Sequence, residues 1–121
     1  MRDQPKDPAD LLPLKPSTYL VLLALADAEL HGYAIMQALA EMTGGRETVL
    51  PGTLYAALAR MVDEGLVEER HGPAGDVSGG PKRRYYKSTR LGRAAARAES
   101  ERLRALLDIA RKQKMVPGGR Q

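Results

Sequence analysis

The chain predicts a mainly α fold with a small β hairpin, an α+β arrangement of three helices, a strand–turn–strand unit and one long final helix. Three observations carry that prediction. Residues 49–70, VLPGTLYAALARMVDEGLVEER, set Leu54, Leu58, Met61 and Val62 on one helical stripe and reach Gly65 just before the alternation of a strand. Two strand-like runs, 66–70 and 83–88, flank the stretch HGPAGDVSGGPKRR, which holds four glycines and two prolines. From Thr89 onward no proline interrupts the chain until Pro117.

Taken in order, residues 1–15 carry Pro5, Pro8 and Pro13 among charges and read as a flexible arm whose Leu11, Leu12 and Leu14 can pack on a neighbour. Ser17 is the expected N-cap of a first helix running to Ala26, and YLVLLALA is apolar nearly all round, which predicts a central buried helix. His31 and Gly32 open a second helix with Tyr33, Met36 and Leu39 or Ala40 on one side, ended by Thr43, Gly44 and Gly45. His31 reads as a capping or packing residue rather than a metal ligand, because no second ligand stands at binding spacing. Segment 46–50 connects to the third helix and could add a short strand to the hairpin sheet.

Pro51 suits a first helical turn and Gly52 lets the backbone come close to whatever that helix end faces. Thr53, Ala56, Arg60 and Asp63 fall opposite the apolar stripe, so one face packs and the other can dock. Gly65 supplies a left-handed stop. A helix from Arg90 to Lys114 would be roughly 38 Å long, too long for so small a domain to cover. Its apolar positions are Leu91, Ala95 and Ala98 early, then Leu103, Leu106, Leu107 and Ala110. We read it as a helix over 89–115 that projects and packs on a symmetry mate, the other reading being a return onto the first helix. Residues 116–121 are expected to be disordered.

Composition narrows the function classes. Lys and Arg total 19 against 15 Asp and Glu, a net charge of +4, which permits an anionic partner without requiring one. With no Cys there is no thiolate zinc site, disulfide or cysteine nucleophile, and no metal or cofactor site is expected. All aromatic content is five tyrosines, a poor supply for stacking single-stranded nucleic acid. No Ser-His-Asp order or phosphate-cradling loop is visible, so an enzyme is not expected. The longest apolar run is far short of a membrane span and the first ten residues lack a secretory pattern, which predicts a cytoplasmic protein.

Five fragments then carry a resemblance: HGYAI at 31–35, LPGTLYAAL at 50–58, DEGLVEER at 63–70, RRYYKST at 83–89 and LGR at 91–93. In this order and spacing they resemble the PadR-like winged helix-turn-helix transcriptional regulators, over roughly residues 15–112, in the short branch with a single C-terminal dimerisation helix. The resemblance implies a winged helix-turn-helix domain over 16–88 and a homodimer through the C-terminal helix. The partner is double-stranded DNA bearing a pseudo-palindromic operator, with half-site centres about 34–36 Å apart. It further implies a repressor, released by a small-molecule effector, whose third helix, about 51–64, enters the major groove while the basic wing, about 71–84, reaches a flanking minor groove or backbone.

On this sequence the helix-start motif falls on Gly52, Thr53 and Tyr55. Thr53 can reach a phosphate or base edge, and the Tyr55 hydroxyl suits a phosphate unless its ring covers the helix-to-wing junction. Tyr33 of HGY is a weaker candidate. Arg60 could read guanine with both its terminal nitrogens or pair with Glu64. Lys82, Arg83 and Arg84 match the basic wing, although alternation along the strand keeps all three from touching DNA together. An effector cleft, if present, would be lined by Leu103, Leu106 and Leu107 with Leu11 or Leu12. Two other readings stay open: a winged-helix module that binds another protein, and an architectural DNA binder without sequence preference.

Overall fold

The computed structural model describes residues 7–71 and 84–118. Its elements are a 3-10 turn Pro8–Leu11, α1 Pro16–Ala24, β1 Leu30–His31, α2 Gly32–Thr43, α3 Pro51–Asp63, β2 Val67–His71, β3 Arg84–Ser88 and α4 Arg90–Lys112. Three helices, a hairpin and a long last helix are the architecture expected from the sequence.

Pro16 is itself the first residue of α1, so the cap moves back to Lys15, held extended as residues before proline are. Ser17 therefore lies inside the first turn. Thr18, Val21, Leu22 and Ala24 of α1 and the following Leu25 are buried, but Leu23 and Ala26 reach the surface, so the helix is covered on one side rather than all round. The His31 Nδ1 accepts the Ala34 amide at 3.2 Å and caps α2, the role anticipated for it. Gly44, at φ +62°, ends that helix in the left-handed region where a Cβ is costly.

The sheet order is β1-β3-β2, all antiparallel. Its third strand is Leu30–His31, paired to Tyr86 and Tyr85, and not segment 46–50. The reason is local. The Thr43 hydroxyl donates to the Leu39 carbonyl at 2.8 Å and accepts the Glu47 amide at 3.0 Å, so that amide closes a turn and is unavailable to a ladder. Val67 faces Ser88 and Glu69 faces Tyr86 in the hairpin, which turns Val67, Tyr86 and Ser88 toward the core.

Val21, Leu25, Ile35, Leu39, Leu54, Leu58, Met61 and Leu66 are fully buried and form the centre where α1, α2, α3 and the hairpin meet. Two contacts anchor α4 there. The Thr89 hydroxyl accepts the Gly92 amide at 2.9 Å and donates to the Gly65 carbonyl at 2.6 Å. At Gly92 the backbones come so close that an added Cβ would stand 2.1 Å from the Leu66 carbonyl oxygen. Beyond this, Ala95 and Glu99 are buried against α1 and the N-terminal segment, whereas Leu103, Leu106, Leu107 and Ile109 are exposed. The first half of α4 thus returns onto its own domain and the second half leaves it.

The N-terminal segment departs from the flexible arm expected of it. From Asp7 onward it is folded: the Asp7 carboxylate accepts the Ala9 amide at 2.9 Å, and Leu14 is buried in the core. The Leu14 amide donates to the buried Glu99 carboxylate at 3.2 Å. Its leucines pack within their own domain because that backbone bond and the groove beside α4 are available to them. No helix among the described residues is long and apolar enough to cross a membrane.

Candidate nucleic-acid interface

Helix α3 presents two faces. Leu54, Ala57, Leu58 and Met61 point inward, while Pro51, Gly52, Thr53, Tyr55, Ala56, Ala59 and Asp63 are exposed. Ala57 joins the inward stripe and Val62 is only half-buried, a small rotation from the stripe read in the sequence. The N-cap residue Leu50 makes no side-chain bond to the helix, so the first-turn amides are left for an outside acceptor. Nothing lies within 4 Å of the position a Gly52 Cβ would take. The space above the first turn is open.

Tyr55 is placed by α2. A Cβ added to Gly32 would stand 2.3 Å from the Tyr55 hydroxyl oxygen, so the ring lies directly over the buried first residue of α2. The side chain nevertheless keeps 48% of its surface exposed. It therefore rests on the start of α2 rather than covering the helix-to-wing junction. Glycine at 32 is what permits the contact, a role beyond the helix opening expected of it. Tyr33, the next residue, is 61% exposed on the same turn.

Arg60 stands at the border of the two faces. It is half-buried and lines a cavity of about 80 Å³ with Leu11, Leu14, Lys15, Thr18 and Glu64. This sets it beside the N-terminal segment and α1, at the border of the face on which it was expected. Arg46, exposed in the turn between α2 and α3, is the cation closest in sequence to the α3 N-terminus, and the sequence reading passed over it.

In the wing, Arg84 is exposed and its Nε lies 2.9 Å from Glu69 across the hairpin. Arg70 pairs with Glu29 at 3.1 Å. Tyr86 is turned inward between these charges, its phenol pushed above the usual value by burial first and by the Glu69 carboxylate second. Lys82 and Arg83, the other expected wing cations, lie outside the described residues.

The five leucines proposed for an effector cleft are spread apart. Leu11 lines the small cavity beside Arg60, Leu12 packs on the core, and Leu103, Leu106 and Leu107 are exposed on the outer half of α4. A larger hollow of about 470 Å³ lies elsewhere, between α1 and α4, and is bordered by Leu22, Leu23, Ala96, Arg93, Arg97 and Arg104. None of the five borders it. Arg93 donates to the Ser88 carbonyl at 3.0 Å at its rim. Among the described residues no group of three or more His, Cys, Asp or Glu side chains is arranged to hold a metal ion.

A family model described as the transcriptional regulator PadR-like family matches residues 21–98. The chain is 40% identical over 93 residues to a transcriptional regulator of Mycobacterium tuberculosis, covering 75% of this chain and 76% of that protein. It is 33% identical over 75 residues to an uncharacterized protein of Lysinibacillus sphaericus, covering 62% of this chain and 66% of that one. A third match, 54% identical over 48 residues, spans only 13% of a protein in a Streptomyces fradiae transposon. Among solved structures, a PadR family transcription regulator of Clostridium difficile superposes with a TM-score of 0.66 at 25% identity, covering 81% of this chain and 97% of that chain. A transcriptional regulator of Clostridium thermocellum superposes at 0.68 with 22% identity, covering 79% and 87%. Bacillus subtilis PadR in complex with operator DNA superposes at 0.60 with 24% identity, covering 71% of this chain and 47% of that one. At these last two identities the likeness is one of fold.

Proposed function

The chain belongs to the PadR-like family of transcriptional regulators, and from that premise we propose that it binds a pseudo-palindromic DNA duplex as a homodimer and represses transcription from it. The observation that carries this reading is the outward, uncapped N-terminus of α3, with Thr53 and Tyr55 exposed beside it and the Tyr55 ring seated on Gly32. Amides and partial positive charge at that end suit phosphate, and two hydroxyls stand where a groove wall would pass. The outer half of α4 supplies the dimer contact: Leu103, Leu106 and Leu107, at i, i+3 and i+4, form an uncovered apolar stripe. Two α3 helices held this way reach half-sites about one helical turn apart. Lys82, Arg83 and Arg84 approach the flanking backbone, and a small-molecule effector releases the DNA. Acting on DNA, the regulator works in the cytoplasm.

A second reading draws on the pairing of Arg84 with Glu69 and of Arg70 with Glu29, which leaves the described part of the wing charge-balanced. With an exposed leucine stripe on α4 as well, such a domain suits a protein partner. A gel-shift titration on the DNA upstream of the chain's own gene, with a scrambled duplex of equal length as competitor, separates the two. Competitor-resistant binding as a dimer supports the operator reading, and Thr53→Ala with Tyr55→Phe then weakens it by about 1–3 kcal/mol per lost contact. Weak binding that is equal on both duplexes favours the protein-partner reading.

A further inference from the structure

Among the described residues Glu99 is the one buried charged side chain, and operator binding as set out above makes no use of it. Its carboxylate accepts the Leu14 amide at 3.2 Å and is bridged by Arg102 through Nε at 3.0 Å and Nη2 at 2.6 Å. Only the Glu99 end of this pair is buried, since Arg102 stays partly exposed, and a buried carboxylate tolerates few arrangements because each must keep its partners. The geometry held here joins α4 to the N-terminal segment. That segment shares the small cavity beside α3 with Arg60 and Glu64, through Leu11, Leu14 and Lys15.

Helix α4 has a pivot and a second fixed point. Thr89 and Gly92 hold its first turn to Gly65 and Leu66, just past the end of α3. Ala95 and Ala96 add apolar packing behind that turn, which does not by itself fix the direction of the helix. Glu99 lies two turns further on and supplies the second point; the Tyr19 hydroxyl, 2.7 Å from Ser100 Oγ, adds an exposed bond beside it. Leu107 stands 15 residues beyond Gly92, so a swing of about 10° carries it roughly 4 Å. That exceeds the rise of about 3.4 Å between base pairs.

We propose that Glu99 is a positioning residue: by holding the Leu14 amide it fixes the direction of α4 relative to α3, and so sets which half-site spacing the dimer accepts. The spacing half of this rests on the operator-binding reading, and the positional half does not.

The test uses the full chain, which has no cysteine of its own. Ala59→Cys on α3 with Ala105→Cys on α4, both exposed positions, take a pair of spin labels, and labelled chains are diluted into unlabelled protein so that only intrachain distances are read. With Glu99 present, one narrow distance distribution is expected. Glu99→Ala together with Arg102→Ala, which leaves no lone charge behind, should broaden that distribution by about twofold or more. Glu99→Gln, whose amide oxygen still accepts from Leu14, should restore most of the narrowness. A distribution that stays narrow in the double variant, folded by circular dichroism, overturns the positioning role. Should the double variant unfold, Glu99→Met, which fills the same space but accepts nothing from the Leu14 amide, is read in the same way.

The second arm measures affinity for duplexes whose half-sites are moved by one base pair in either direction. The parent chain should discriminate by about tenfold and the double variant by less than about threefold. Equal discrimination in a double variant with a broadened distribution overturns the link to spacing. A parent chain that binds none of the duplexes removes the operator reading and the spacing claim with it, while the distance measurement decides the positioning claim in either event.

Discussion

Gly92→Ala should unsettle the domain at the junction of α3 and α4. In a helix the exchange ordinarily stabilises by about 0.8–1 kcal/mol, since alanine loses less backbone entropy. Here the new methyl would stand 2.1 Å from the Leu66 carbonyl oxygen, 3.0 Å from its carbon and 3.1 Å from Leu22 Cδ2. Two of the three neighbours are backbone and cannot rotate away. Relief needs α4 to retreat by roughly 1.3 Å to reach ordinary contact near 3.4 Å. The Thr89 amide donates to that same Leu66 oxygen at 3.1 Å, so such a retreat pulls this bond beyond a normal length.

Overpacking of this kind costs about 1–3 kcal/mol and a lost hydrogen bond about 1 more, against the propensity gain of about 1. A net loss of about 1–3 kcal/mol is expected. For a chain of this size that lowers the melting temperature by roughly 4–15 °C. Thermal and urea melts followed by circular dichroism at matched protein concentration read it directly. A Gly92→Ala chain that melts with or above the parent would show that the close approach at Leu66 does not constrain this junction.

Gly52→Ala makes the opposite case. Its Cβ would meet nothing within 4 Å, so melts should show no loss and up to about 1 kcal/mol of gain, while affinity for the operator falls where backbone and phosphate can no longer meet. Gly32→Ala should leave the fold intact, because the atom it displaces is the far end of the Tyr55 side chain. It should nonetheless weaken DNA binding, and a double-mutant cycle with Tyr55→Ala should show the two losses to be one. Glu99 gives a pH dependence. Its bond to Arg102 first, and the Leu14 amide after it, hold its carboxyl below the ordinary range against the upward push of burial. A folded-state value below the unfolded one contributes stability that is fully present above the unfolded value and is lost as pH falls through the folded one. Urea midpoints of the parent should therefore drop more steeply on acidification than those of Glu99→Gln. Parallel curves would deny the carboxylate that role.

What the sequence made legible follows the range over which each interaction acts. Helix α3 could be read because its inward residues recur within one element: Leu54, Leu58 and Met61 repeat at helical spacing and leave Thr53 and Tyr55 on other sides. Gly44 and Gly65 were legible as helix stops for a similar reason, since the left-handed φ values of 62° and 80° are a requirement of the glycine's own backbone. What escaped depends on partners far along the chain. Strand β1 is two residues long, too short to carry a period, and exists because Tyr85 and Tyr86 arrive beside it. Glu99 reads as one more solvated charge in AESERLR until Leu14, 85 residues away, brings it an amide. The same event folds the N-terminal segment that composition alone marks as free, and it draws Leu11 and Leu14 in beside Arg60. That single long-range contact explains why the outward face of α3 was easier to read than the orientation of its one arginine. The face is set by the helix itself. The direction of Arg60, at its border, is set by what packs behind it.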